Sequence, residues 1–185
     1  MKRAKTFLRI VWIALILIGL MLFFLYPNSF TKEALSDFIQ KQSSHILLAY
    51  AFVSIVRGVF LLPSTPFVLA GILLFPSQPF LVFSISLMGI LITSTYLYFG
   101  SRFLEFDKIF GLKQSGKANK IIDKLNQHGF WIVLGWAFFP AVPTDLICYL
   151  AGTIRMNFAK YILALLIGEG ILIGIYVSLG EHLFQ

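Results

Sequence analysis

Three ionisable side chains stand inside otherwise apolar stretches of this 185-residue chain: Arg57, Asp145 and Glu169. A charge at the centre of a bilayer costs at least about 2.5–3.5 kcal/mol on insertion scales, so within a membrane each must face protein or water. Arg57 and Asp145 suit a structural ion pair that locks two parts of the chain together. The same residue types equally suit a site where Arg57 meets a lipid phosphate. Glu169, in Gly168-Glu169-Gly170, is either a protonated acid bonded to a neighbouring helix or a proton-coupling site.

Two proline motifs supply the other chemistry. Pro63-Ser64-Thr65-Pro66 and Pro140-Ala141-Val142-Pro143 each punctuate an apolar run. Proline is tolerated in the first turn of a helix, so each motif can end one half-helix and start the next. The new starts, near Phe67 and Thr144, would carry free N–H groups and positive dipole ends, which attract anions. Ser64, Thr65 and Thr144 add hydroxyl donors, and a phosphate headgroup is the natural guest. The plainer alternative is that the prolines only shape hairpins whose donors bond to protein or water. The candidate headgroup path is therefore Arg57, Ser64, Thr65, Thr144 and Asp145. Pro63, Pro66, Gly71, Pro140, Pro143 and Gly152 are the hairpin-shaping positions.

The remaining reactive side chains point to no further site. His45, His128 and His182 are isolated and show no metal-ligand spacing, so neither metal nor cofactor is expected. Cys148 is single, which excludes an intrachain disulfide, and reads as a small buried side chain. Trp12, Trp131 and Trp136 read as packing or interface anchors. No nucleotide loop or catalytic triad is visible, and no enzyme is expected.

The elements that must position these residues are membrane helices. Hydrophobic residues make up 58% of the chain and charged ones 12%, about half the share of a soluble domain. Gly58 to Ser101 contains no charged side chain, and about 20 apolar residues already suffice to cross a bilayer. The net charge of +7 is gathered in Lys2, Arg3, Lys5 and Arg9, in Arg102 to Lys124, and in Arg155 and Lys160. That placement is topology information, with basic segments cytoplasmic, rather than a nucleic-acid surface. The segment Arg102–Lys124 also suits contact with anionic headgroups.

Residues 1–45 are expected to hold a retained transmembrane helix, Ile10–Tyr26, leaving the cytoplasm. A short outer interfacial helix would follow over Thr31–Gln42, with Ala34, Leu35, Phe38 and Ile39 on one face. Residues 46–185 then form one membrane domain: a hairpin over 46–75, a helix over 80–99, a basic cytoplasmic segment over 101–128, a hairpin over 129–152 and a helix over 160–180. Phe67–Phe75 and both legs of the second hairpin are too short to span. Ile46–Leu62 is long enough to cross fully. Within the basic segment, Ile121, Ile122 and Leu125 oppose Lys117, Lys120 and Lys124, which suggests a surface helix ending near Gly129. Gly170-x-x-x-Gly174 suggests close helix packing. The same order occurs twice, and Leu69-Ala70-Gly71 echoes Leu150-Ala151-Gly152. The fold class is therefore all-α and integral to the membrane. It is an inverted repeat of two re-entrant hairpins, each followed by a full helix.

Pro63-x-x-Pro66 with Leu69-Ala70-Gly71, together with Phe139-Pro140-Ala141-Val142-Pro143-Thr144-Asp145-Leu146 and Tyr149-Leu150-Ala151-Gly152, resembles the DedA superfamily. This is also called the VTT-domain or SNARE-associated family, and the Tvp38-like branch is the nearest in pattern. The resemblance covers about Ser54 to Gly180. It implies two opposed re-entrant hairpins in a bacterial-type inner membrane and movement of lipids, either phospholipid or undecaprenyl phosphate, with protons as a coupling partner. The family's acidic residues around the first motif are replaced here by Val59, Phe67 and Val68, and its arginine before the second motif by Ala137. The expected function is a flippase or scramblase-like lipid transporter. The alternatives are a proton-coupled small-ion transporter and a non-transporting scaffold.

Overall fold

The computed structural model describes residues 2–42, 45–104, 116–139 and 143–183. Pro140 of the second proline motif, and Lys108 and Lys113 of the basic segment, lie outside the described residues. The elements are α1 (Lys2–Leu25), a 3-10 turn (Pro27–Phe30), α2 (Lys32–Gln42), α3 (Ile46–Val56), a 3-10 turn (Arg57–Phe60), α4 (Thr65–Leu74), α5 (Pro79–Phe103), α6 (Gly116–Phe138), α7 (Thr144–Thr153) and α8 (Phe158–Leu183).

Among the described residues three stretches are long and apolar enough to cross a membrane: Lys5–Leu25, Pro79–Phe103 and Phe158–Gly180. Large apolar side chains face outward along all three, among them Leu17, Phe24, Phe80, Met88, Leu163 and Leu179. So much exposed apolar surface suits hydrocarbon and not water. The core lies where α5 and α8 meet the shorter helices, built on Val82, Leu97, Val133, Ala151, Ala164 and Leu165.

The short helices arise from two breaks. Ile46–Phe60 is apolar but, at about 1.5 Å per residue, falls short of a core about 30 Å thick. The expectation that this stretch is long enough to cross is thereby corrected. The helix stops because Leu61 takes a left-handed conformation, φ 53°. The N–H of Leu61 donates to the Gly58 carbonyl (3.2 Å) and that of Leu62 to the Arg57 carbonyl (3.3 Å). This double bond pattern closes a helix C-terminus. Pro63 then has no N–H to continue, and Pro66 sits in the first turn of α4, where none is needed. The second break lies between α6 and α7. α4 and α7 are each about 15 Å long, half the thickness of a bilayer core.

Side-chain contacts link the elements on either side of each break. The Tyr50 ring of α3 lies 5.9 Å from Phe75, just past the end of α4, and Gly71 leaves room for the Tyr50 hydroxyl. In the second pair, α6 kinks at His128, and Gly129 directly after the kink touches Met156, just past the end of α7. The first contact lies near the start of α5, which opens at Pro79, and the second near its end, where Tyr98 donates to the Met156 carbonyl. Basic residues gather at the latter end: Lys5 lies 4.9 Å over the Phe103 ring, and Arg9 donates to the Leu104 carbonyl.

The packing of α2 is one-sided, and that of α8 corrects the expectation for Gly170 and Gly174. On α2, Leu35, Ser36 and Ile39 are buried, but Phe38 is 56% exposed. α2 presents only one stripe to α4, against Phe67 and Ala70, and Phe38 falls beside it. On α8, a Cβ at Gly170 would meet nothing within 4 Å, and one at Gly174 only the Phe83 ring at 3.9 Å. The close approach is at Gly168, where a Cβ would stand 2.8 Å from that of Ala137 and 2.9 Å from the Leu134 carbonyl oxygen. Gly170 lies about 200° around the helix from Gly168, so it cannot face the same neighbour.

Candidate functional site: a buried ion pair where the two breaks meet

Arg57 is delivered by the 3-10 turn at the end of α3, and Asp145 by the first turn of α7. Arg57 Nη1 donates to Asp145 Oδ2 at 3.0 Å, with both side chains 2% exposed. The same nitrogen donates to the Leu62 carbonyl at 2.7 Å, an acceptor left free by the left-handed turn at Leu61. Asp145 also lies where the N-terminal dipole of α7 favours a negative charge. Arg57 Nη2 is buried and has no hydrogen-bond partner.

The seat of Arg57 is built by α5. Thr93 Oγ1 and the Tyr96 hydroxyl both donate to the Ile55 carbonyl, at 3.2 and 3.0 Å. Gly58 permits this approach, since a Cβ there would collide with Thr93 and come within 2.6 Å of the Tyr96 hydroxyl. Gly89 of α5 also faces α3, where a Cβ would stand 3.2 Å from that of Ser54. Glycines on both helices thus draw α3 onto α5 and fix where the chain turns.

Beside Arg57 is a small cavity of about 10 Å³, lined by the hydroxyl-bearing Ser54, Ser64 and Ser86 and by Phe67. Such a volume holds about one water molecule. Ser86 is itself bonded to the Tyr50 hydroxyl at 2.7 Å.

Thr144, adjacent to Asp145, donates to Glu169 Oε1 at 2.5 Å, and Glu169 is 1% exposed. Trp136 Nε1 donates to the Pro143 carbonyl at 3.3 Å, tying α6 to the start of α7. Cys148 is buried, its thiol 3.2 Å from the Thr144 carbonyl and 3.4 Å from Ser94 Oγ, and has the small-side-chain role expected of it.

Arg57, Asp145, Thr144 and Glu169 are thus joined by contact, with Ser64 on the neighbouring cavity. Thr65 opens α4, half-buried, and is not among the residues lining that cavity. Gly71 and Gly152 sit away from the pair and serve packing: Gly71 admits Tyr50, and Gly152 admits the Tyr98 carbonyl and Ser101 of α5. Among the described residues no group of three or more His, Cys, Asp and Glu could hold a metal ion. Ser54, Ser86, Tyr50 and Tyr96 escape a reading based on charges and prolines. Their one signal is the spacing of Ser86, Thr93, Ser94 and Ser101, which places small hydroxyls on one buried face of α5.

The arrangement is a buried ion pair of Arg57 and Asp145, flanked by a hydrogen-bonded Thr144–Glu169 contact. A family model described as the VTT domain matches residues 62–182, from the break after α3 to the end of α8. No curated protein and no solved structure gives a match. The match takes in both proline motifs, Asp145 and Glu169, and the chain belongs to the VTT-domain (DedA) family of membrane proteins.

Proposed function

We propose that this protein moves a phosphate-bearing lipid headgroup across the bilayer, along a path between the two broken helix pairs. In this reading α3–α4 and α6–α7 are re-entrant hairpins that enter from opposite faces and meet at the Arg57–Asp145 pair, forming an inverted repeat. Their half-membrane lengths and their contacts near opposite ends of α5 support it, as do the basic residues clustered at one end of α5, the end assigned to the cytoplasm.

The observation that carries the reading is Arg57 itself, whose Nη2 has no hydrogen-bond partner among the described residues and which lines a small cavity with three serines, Phe67, Val68 and Ile90. The cavity is too small for a phosphate group, so this is a closed state. Opening must part Arg57 from Asp145, and breaking a buried pair leaves a charge uncompensated, at about 3–5 kcal/mol. A lipid phosphate taking the place of Asp145 on the guanidinium offsets that cost, with bidentate geometry that both Arg57 nitrogens can supply. Ser54, Ser64 and Ser86 offer further donors. The freed Asp145 carboxylate is then neutralised by a proton, with Glu169 and Thr144 next along the path. The acyl chains stay in the membrane, and polyprenyl phosphate and glycerophospholipid share the headgroup chemistry the site needs.

The test is lipid exchange in liposomes carrying the pure protein, with a fluorescent phospholipid and, separately, a polyprenyl phosphate. Asp145→Asn and Glu169→Gln, matched for folding, are compared with the native chain. Flux that falls in either variant places the path at these carboxylates. If the native protein moves neither lipid, even under a pH gradient, lipid transport is excluded and the alternatives of ion transport or scaffolding take its place.

A further inference from the structure

A second polar cavity lies at the other end of α7 from Asp145, at the mouth of the α6–α7 pair. It has a volume of about 210 Å³ and is lined by His128, Trp131, Arg155, Asn157 and Lys160, with Met156 at its base. Its two formal cations are exposed, and no described acidic residue makes an ion pair with either. Trp131 is 68% exposed at its rim, where an amphipathic ring suits the boundary between hydrocarbon and water.

Arg155 is placed there at a conformational cost. It is the second non-glycine residue with positive φ, 58°. Its N–H donates to the Gly152 carbonyl (3.1 Å) and the Met156 N–H to the Ala151 carbonyl (3.0 Å), which closes the C-terminus of α7. Glycine is the usual residue at this position because it has no Cβ to strain. An arginine there sends a charged side chain to the cavity from a turn that does not call for one. At the start of α8 Asn157 Oδ1 accepts from Lys160 N at 3.1 Å and the Asn157 carbonyl from Tyr161 N, so the formal positive charge at the cavity comes from the side chains of Arg155 and Lys160.

We infer that this cavity binds the phosphodiester headgroup of an anionic glycerophospholipid at the membrane interface, with Arg155 and Lys160 as its counter-charges and Trp131 against the glycerol and upper acyl region. The site is about 15 Å along α7 from the ion pair and does not depend on transport through it. Basic pockets between membrane helices on the cytoplasmic side take anionic headgroups for the same reason of charge complementarity. A lipid bridging the kink at His128 and the start of α8 would hold the mouth of the second pair.

The experiment is thermal unfolding of the full chain in an uncharged detergent, titrated with dihexanoyl phosphatidylglycerol, dihexanoyl phosphatidylcholine or inorganic phosphate. A ligand that binds only the folded state raises Tm with concentration. Phosphatidylglycerol is expected to raise Tm and phosphatidylcholine not to. Arg155→Gly removes the charge while suiting the turn, so its Tm without lipid should equal or exceed that of the native chain. Its affinity for phosphatidylglycerol should fall about tenfold or more, as should that of Lys160→Gln. Equal shifts from the two lipids, or native affinity in both variants, overturn the inference. A shift from inorganic phosphate as large as that from phosphatidylglycerol overturns the lipid assignment in favour of a soluble anion.

Discussion

Thr144 and Asp145 are neighbours in the first turn of α7, yet they bind different parts of the molecule. Asp145 holds Arg57 at 3.0 Å across the first break, and Thr144 holds Glu169 of α8 at 2.5 Å. Any movement of the start of α7 therefore acts on both contacts at once. The first turn of α7 thus ties the turn after α3 to α8.

Replacing one partner of the ion pair should be costly and replacing both much less so. Asp145→Ala leaves the guanidinium buried without its counter-charge and is expected to lose about 3–5 kcal/mol of stability. The double substitution Arg57→Met with Asp145→Leu should recover most of that loss, because neither charge then remains to be solvated. Unfolding in micelles measures the stabilities, and liposome flux on the same samples separates them from function. A stable double variant that still moves lipid would remove the pair from the transport path.

Glu169→Gln keeps an acceptor for the Thr144 hydroxyl and should fold within about 1 kcal/mol of native. On the proposed mechanism its lipid flux no longer responds to an imposed pH gradient, whereas native flux does. The comparison is made in the same vesicles with and without the gradient.

Gly152, Gly168 and Gly170 should differ in what an added methyl costs. Gly152→Ala drives a methyl group into the Tyr98 carbonyl, and Gly168→Ala meets the Leu134 carbonyl and Ala137, so each is expected to cost about 1–3 kcal/mol. Gly170→Ala enters open space and should be neutral or stabilising by up to about 1 kcal/mol. Thermal unfolding in one detergent ranks the three.

The proposed orientation can be read by labelling. Cys148 is buried, so a cysteine introduced at an exposed position reports by itself. An impermeant maleimide added to right-side-out vesicles should label Gln78→Cys and reach Lys124→Cys only after permeabilisation. The opposite pattern would invert the topology.

Tyr50→Phe tests the buried hydroxyls that line the approach to Arg57. It strips Ser86 of its partner at 2.7 Å, and the expected loss is about 1–3 kcal/mol, as for any buried polar group left unmatched. A double cycle with Ser86→Ala gives the coupling between the two.

Much of the architecture was legible in the residues alone. A run such as Pro79–Phe103, charged only at Arg102 near its end, reads as a spanning helix, because a helix satisfies its own backbone in hydrocarbon. Prolines marked where helices stop, since they remove a donor at a known position. The three charges inside apolar segments were conspicuous for the energy it takes to bury them. The contacts among these pieces were decided only in three dimensions. Arg57 and Asp145 are 88 residues apart, and Ser54, Ser64 and Ser86 gather around Arg57 from three different helices or turns. A helix that is apolar all round has no polar face to show which side turns inward, so periodicity could not orient α3, α4 or α8. Small residues likewise mark where a neighbour can approach and not which neighbour comes. Gly170 and Gly174 had the favourable spacing, but Gly168 received the close contact, because the register of α8 against α6 is set by the packing of the whole core.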